Sequence, residues 1–270
     1  MREAATVTIR GVIHRTRIEG HGPPLVLLHG GPGLWDYLGP VAGQIASRVT
    51  VHRYDQRGAG GSERRPPYDL DTLIADLEAL RTQWGHPGWI VAGHSWGADL
   101  ALAYALRHPA HVRALVCISG TGPAPARWRP EFRRRFAQAA TRLAADIDDP
   151  IQRYAVEFAH TSTPHRYAER FLADAPEGAP INLEANRIGF ESWLQWLAAG
   201  GLEPAGSFGR PTLVVHGSED LRPLELTSAL TAELLPGARL AVLRGQGHLP
   251  WIEDPGPLEA ELEAFLRAVR

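Results

Sequence analysis

Trp89-Ile90-Val91-Ala92-Gly93-His94-Ser95-Trp96-Gly97 decides the reading of this chain, together with the apolar segment that runs on to Arg107. Trp89 to Ala92 is a short, unalternating apolar run, the signature of a strand buried on both faces. Trp96 to Arg107 is apolar nearly all round, as a helix in a domain centre is, and stops at His108-Pro109. Between them stands G-x-S-x-G. A strand that turns sharply into a helix forces the central serine into strained backbone geometry, and small residues two before and two after it avoid a clash. The turn presents the Ser95 hydroxyl at the carboxyl edge of a sheet, and the helix N-terminus adds partial positive charge beside it.

Similar runs recur on both sides. Thr6–Ile9 and Ile13–Ile18 alternate around Gly11 and predict a hairpin; Leu25–Leu28, Val49–Tyr54, Val112–Ser119, Thr212–Val215 and Leu240–Leu243 read as buried strands. Helical spacing appears in Leu70, Leu73, Ile74, Leu77, Leu80 and Trp84, with Asp71 as N-cap and Gly85 as stop, and again in Leu258, Leu262, Phe265, Leu266 and Val269. Strands alternating with helices predict an α/β fold with a right-handed, doubly wound sheet of eight strands, mostly parallel. Residues 123–209 break the rhythm: they are bounded by Pro and Gly, hold Trp128, Trp193 and Trp196, and contain no good strand. They read as a helical excursion over the sheet edge, inserted after the sixth strand. The expected division is therefore a core of residues 1–122 and 210–270 and an excursion of 123–209.

Composition narrows the chemistry. The 270 residues, 44% hydrophobic and 21% charged, suit one large α/β domain. All 28 basic residues are Arg, so Schiff-base chemistry, Ser–Lys dyads and the P-loop lysine are excluded. A single cysteine, Cys117, excludes an intrachain disulfide and a Cys-rich metal site; inside an apolar run, it reads as a buried, inert small hydrophobe. With no H-E-x-x-H and no dinucleotide fingerprint, neither metal nor organic cofactor is expected. Net charge is −2 and the pI about 6.6, which argues against a nucleic-acid partner. No apolar run of about 18 residues is present and the N-terminus has no signal-peptide core, so no membrane association and a cytoplasmic location are expected.

A serine nucleophile needs a base, and the base an orienting carboxylate. His248 lies in Gly245-Gln246-Gly247-His248-Leu249-Pro250, after the last strand, where glycines let it project back across the sheet edge. Val215-His216-Gly217-Ser218-Glu219-Asp220 ends the strand before; Asp220 is the expected orienter and Glu219 a solvated neighbour. The chain order Ser95, Asp220, His248 is that of α/β-hydrolases. The Trp96 N–H is one expected oxyanion donor, and the glycine-rich His29-Gly30-Gly31-Pro32-Gly33 should supply the other.

On these residues, and on Tyr54-Asp55-Gln56-Arg57-Gly58-Ala59-Gly60-Gly61-Ser62, the sequence resembles the proline iminopeptidase-like branch of the α/β-hydrolases over nearly its whole length outside the excursion. The resemblance implies that Gly31 and Trp96 are the oxyanion donors, that Asp55 and Arg57 hold a loop, and that the excursion is a helical cap setting substrate choice. It implies an aminopeptidase or amidase removing a small N-terminal aminoacyl group from a small molecule or short peptide. The free α-amino group would need a carboxylate from outside the triad; Glu157, in Tyr154-Ala155-Val156-Glu157-Phe158, and Glu184 are the candidates, with Trp35 and Trp193 as further substrate contacts. Pairing of Glu184 with Arg187 on a solvated face is the competing expectation. The family's peptidases carry Gly where this chain has His94, and their cap is longer. An esterase or lactonase is the alternative activity, and a non-catalytic small-molecule receptor on the same scaffold the remote one. Ser95 argues against the fold's haloalkane dehalogenases and epoxide hydrolases, which use an elbow Asp.

Overall fold

The alternation around Gly11 produces β1 (Ala5–Ile9) and β2 (Val12–Gly20), paired antiparallel with Ile9 opposite Val12. They lead into β3 (Pro24–Leu28), α1 (Gly39–Ile45), β4 (Thr50–Tyr54), α2 (Leu70–Gln83), β5 (Trp89–His94), α3 (Trp96–Arg107) and β6 (Val112–Ile118). The chain returns to the sheet as β7 (Thr212–Gly217) and β8 (Arg239–Leu243). The strand order is β1-β2-β4-β3-β5-β6-β7-β8; β2 also runs antiparallel to β4, and every remaining pair is parallel. This is the eight-stranded, mostly parallel sheet expected. The computed structural model describes residues 4–143, 148–162, 165–173 and 181–269.

Strand alternation divides the core into two layers. Leu25, Leu27, Ile90 and Ala92 face one layer, with Val41 and Ile45 of α1; Val26, Leu28 and Val91 face the other, with α2 and α3. Cys117 lies in β6, 2% exposed, and burial pushes its thiol pKa well above the ordinary value. The chain leaves β3 for one side of the sheet at β4 and returns to the other at β5, so the turns after β3 and β5 flank a topological switch point, where such sheets bind ligands.

The segment between β6 and β7 is helical: α4 (Pro125–Leu143), α5 (Pro150–Ser162), α6 (His165–Ala173) and α7 (Leu183–Ala198), with no strand among the described residues. After β7 come α8 (Ser228–Leu234), then β8, α9 (Pro250–Glu253) and α10 (Pro255–Ala268). The α10 face expected from its spacing is the buried one: Leu258, Leu262, Phe265 and Leu266 join the core. The cap of α2 is corrected. Asp69, not Asp71, is the N-cap, its carboxylate accepting the Thr72 N–H at 2.9 Å, while Asp71 lies in the first turn and pairs with Arg107.

The loop after β4 is held by carboxylates. Asp55 accepts the N–H groups of Asp36 at 2.7 Å and Gly61 at 2.9 Å. Arg57 reaches Asp76 of α2 through Nε at 2.6 Å and Nη2 at 2.8 Å, and Arg10 adds a third bond at 2.9 Å. Asp76 is 1% exposed; although burial opposes ionisation, its hydrogen bonds to Arg57 and the nearby His14 ring hold its pKa below the ordinary value. Asp76→Ala leaves the buried Arg57 guanidinium without its partner, and such broken pairs cost about 3–5 kcal/mol. Urea unfolding should show a loss of that size, and a change within experimental error would remove Asp76 as the anchor of this loop.

Candidate active site

Ser95 adopts φ 55° and ψ −126°, a conformation rare for a side-chain-bearing residue, at the junction of β5 and α3. Its neighbours must be small. A Cβ on Gly93 would strike the Gly97 carbonyl, one on Gly97 would strike the carbonyls of Leu28 and His29, and one on Gly30 would stand 2.7 Å from the Ser95 Cβ. The loop after β3 is thus packed directly on the serine.

His248 and Asp220 meet from the loops after β8 and β7: Nδ1 of His248 lies 2.6 Å from Oδ2 of Asp220, both fully buried. The other carboxylate oxygen accepts the Arg222 backbone N–H at 3.0 Å and its Nη1 at 3.1 Å. Burial opposes ionisation of Asp220, but the charges of His248 and Arg222 outweigh it and hold its pKa far below the ordinary value. For His248 the balance runs the other way: burial and Arg222 depress the pKa to about 4 against the pull of Asp220. Nε2 of His248 is buried and has no hydrogen-bond partner among the described residues. Glu219 is exposed and accepts from the hydroxyl of its neighbour Ser218.

His94 ties these loops together. Its Nε2 lies 2.8 Å from the His248 carbonyl, which can only accept, so Nε2 carries the proton. Nδ1 then accepts from the Tyr37 hydroxyl at 2.8 Å, and the Tyr37 oxygen accepts the Gly30 N–H at 2.9 Å. Burial and the neighbouring His248 keep the His94 pKa well below 6.5, so the ring is neutral. One imidazole therefore spans the serine turn, the glycine loop and the histidine loop. Sequence reasoning noted His94 only as a departure and did not single out Tyr37.

A cavity of about 220 Å³ opens on Ser95, Gly31 and Trp96. Its remaining wall includes Trp128, Arg129, Phe132, Arg133 and Phe136 of α4, Tyr154 and Phe158 of α5, Asn186 and Phe190 of α7, and Arg222. Asn186 donates to the Pro32 carbonyl at 2.9 Å and Gly189 packs on Pro32, which seats α7 on the glycine loop. The other substrate-contact expectations fall elsewhere. Trp35 is 3% exposed and stacked on Phe171; Trp193 is fully buried, edge-on to Trp96 and stacked on Trp196. Both back the site without lining the cavity. Glu184 is exposed on the first turn of α7, and Arg187 pairs with Glu191 at 2.7 Å rather than with Glu184. Glu157 is half-buried on α5, its pKa raised by burial against the charge of Arg153, and does not line the cavity either. The wall residues on α4 carried one legible signal, the aromatic stripe Trp128, Phe132 and Phe136 at four-residue spacing.

A strained serine hydroxyl, a histidine with an open Nε2 backed by a carboxylate, and the turns that carry Gly31 and Trp96 are the parts that acyl transfer through serine uses. Residues 23–255 match the family model described as alpha/beta hydrolase fold. The chain is 27% identical over 279 residues to a proline iminopeptidase of Heyndrickxia coagulans, covering 93% of each protein. It is 28% identical over 270 residues to that of Lactobacillus delbrueckii subsp. bulgaricus, covering 90% of this chain and 89% of the relative. Among solved structures, the enol-lactonase from Burkholderia xenovorans LB400 superposes with a TM-score of 0.77 at 20% identity, covering 97% of this chain and all of that one. No described helix is long and apolar enough to cross a membrane.

Gly97→Ala tests the packing of the serine turn. Its methyl group meets backbone rather than a yielding side chain, so overpacking should cost about 1–3 kcal/mol. A melting temperature equal to that of the parent protein would show that the turn has room the geometry denies.

Proposed function

Because the chain belongs to the α/β-hydrolase family, we propose that it is a serine hydrolase acting on small acyl compounds through an acyl-enzyme. The observations that carry this reading are the His248–Asp220 pair and a serine held at positive φ, the loops that bear them being joined through His94. Ser95 attacks the substrate carbonyl while Nε2 of His248 takes its proton. His248 then returns that proton to the leaving group, and a water repeats the sequence to release the acid. Asp220 fixes the imidazole with Nε2 turned to the substrate, and the N–H groups of Gly31 and Trp96 stabilise the oxyanion. Residues 123–209 act as a helical cap over the core of 1–122 and 210–270, and their α4, α5 and α7 supply most of the cavity wall. No cofactor takes part.

The relatives' names favour an aminopeptidase that releases a small N-terminal aminoacyl group. A second reading, an esterase or lactonase, is supported by the cavity: its wall is rich in aromatic rings and, among the described residues, contains no carboxylate to bind an ammonium group. Rates on aminoacyl arylamides and on p-nitrophenyl acyl esters, measured side by side, decide between them. If Glu157 or Glu184 binds the amine in solution, neutralising it raises KM for the arylamides by about ten- to a hundredfold relative to the esters.

Ser95→Ala and His248→Ala should each lower kcat by about 10⁴-fold without altering the fold. Full activity in purified Ser95→Ala protein would sink the assignment. The pH profile is a separate test. His248 serves as base only when neutral, so kcat/KM falls as pH drops through its pKa, which burial and Arg222 displace from 6.5 toward about 4. Activity should therefore stay level from neutral pH to below 6, and an acid limb centred at 6.5 or higher would contradict the depressed pKa.

A further inference from the structure

The cavity wall is unbalanced in charge. Among the described residues three arginines line it, Arg129, Arg133 and Arg222, and no carboxylate does. Arg222 is matched by Asp220. Arg129 is not matched. It is half-buried on α4, its guanidinium carbon lies 4.2 Å from the centroid of the Phe190 ring, and it has no carboxylate partner among the described residues. Burial and the like charge of Arg133, one turn along the same helix, push its pKa down. Nearby acids are engaged elsewhere: Glu131 pairs with Arg134, and the charge acting on Glu157 is that of Arg153.

An arginine on a solvated helix face usually needs no explanation. Arg129 differs because it is partly desolvated, unpaired, and set in the wall of the same small cavity that holds Ser95. A cation in that position is stabilised when an anion arrives, and the planar guanidinium fork matches the two oxygens of a carboxylate.

We propose that Arg129, assisted by Arg133, is the recognition site for a carboxylate carried by the substrate. The proposal rests on Ser95 being the nucleophile of the same cavity. With about 220 Å³ available, the substrate is small, and its apolar part lies against Trp128, Phe132 and Phe158. The carboxylate can belong to the acyl group, as in a half-ester of a dicarboxylic acid. It can equally belong to the leaving group, as in a dipeptide with a free C-terminus.

Two matched substrate pairs distinguish these sources: p-nitrophenyl hydrogen glutarate against p-nitrophenyl valerate, and prolylglycine against prolylglycinamide. In one pair the wild-type enzyme should prefer the carboxylate-bearing member by about tenfold or more in kcat/KM, carried mainly by KM. Arg129→Gln should collapse that ratio and Arg129→Lys retain part of it. Because Arg129→Gln could fold poorly, wild-type inhibition gives a second measurement: glutarate should compete with substrate, and glutaramide should not. Preference for the neutral member in both pairs, an unchanged ratio in Arg129→Gln, or equal inhibition by glutarate and glutaramide overturns the proposal. Fluorophosphonate labelling of Ser95 separates the two levels of failure. A labelled enzyme with no preference for carboxylate removes the Arg129 site alone; an unlabelled enzyme that turns over no substrate removes the serine reading with it.

Discussion

Ser95 holds its positive φ because the space around it admits nothing larger than hydrogen at three glycines. Gly93 and Gly97 let the strand double back into the helix, and Gly30 brings the loop after β3 against the serine Cβ. The strain at one residue, of order 1–3 kcal/mol, persists because buried β5 and α3 fix the chain on both sides of it. The placing of the cavity, the approach of the glycine loop and the seating of α7 on Pro32 all follow from this turn.

The network through His94 makes the neighbouring loops one unit. One ring nitrogen donates to the His248 carbonyl, and because burial keeps the ring neutral the other accepts from Tyr37, which fixes the tautomer. The Tyr37 oxygen in turn holds Gly30, one residue from an expected oxyanion donor. A glycine at position 94, usual in the peptidases this chain resembles, leaves no ring to make those bonds. Arg222 completes the arrangement from the other side, satisfying the Asp220 oxygen that His248 does not use and depressing the pKa of His248. The local electrostatics hold the imidazole of His248 neutral and the carboxylate of Asp220 ionised.

The sheet was legible because buried parallel strands leave an unambiguous trace, continuous β-branched runs bounded by turn residues. Every such run became a strand, and the helix after Ser95 followed from its apolar periphery. Short helices were not legible. Gly39-Pro40-Val41-Ala42-Gly43-Gln44-Ile45 has poor intrinsic propensity and is helical because Val41, Ala42 and Ile45 pack into the core. Asp69 and Asp71 are equally plausible caps on paper; which one accepts the Thr72 N–H depends on where the first turn begins. The cavity wall was hardest to foresee, because periodicity shows that a helix has an aromatic stripe but not which element it will meet. Glu157 and Glu184 were read from resemblance and apolar neighbours, whereas docking of α4, α5 and α7 placed arginines and aromatic rings at the cavity instead. Arg222, two residues beyond the expected orienter, was within reach of sequence reasoning as a second cation for that carboxylate.

The account stands or falls on a covalent bond at Ser95. Rapid mixing of the enzyme with an excess of a p-nitrophenyl ester, followed by acid quench and peptide mapping by mass spectrometry, reads that bond directly. The account predicts a burst of p-nitrophenol and one acyl adduct, on the peptide containing Ser95 and on no other. Turnover of the ester with the acyl group on a different residue, or with no adduct and no burst when deacylation is made slow, would contradict it.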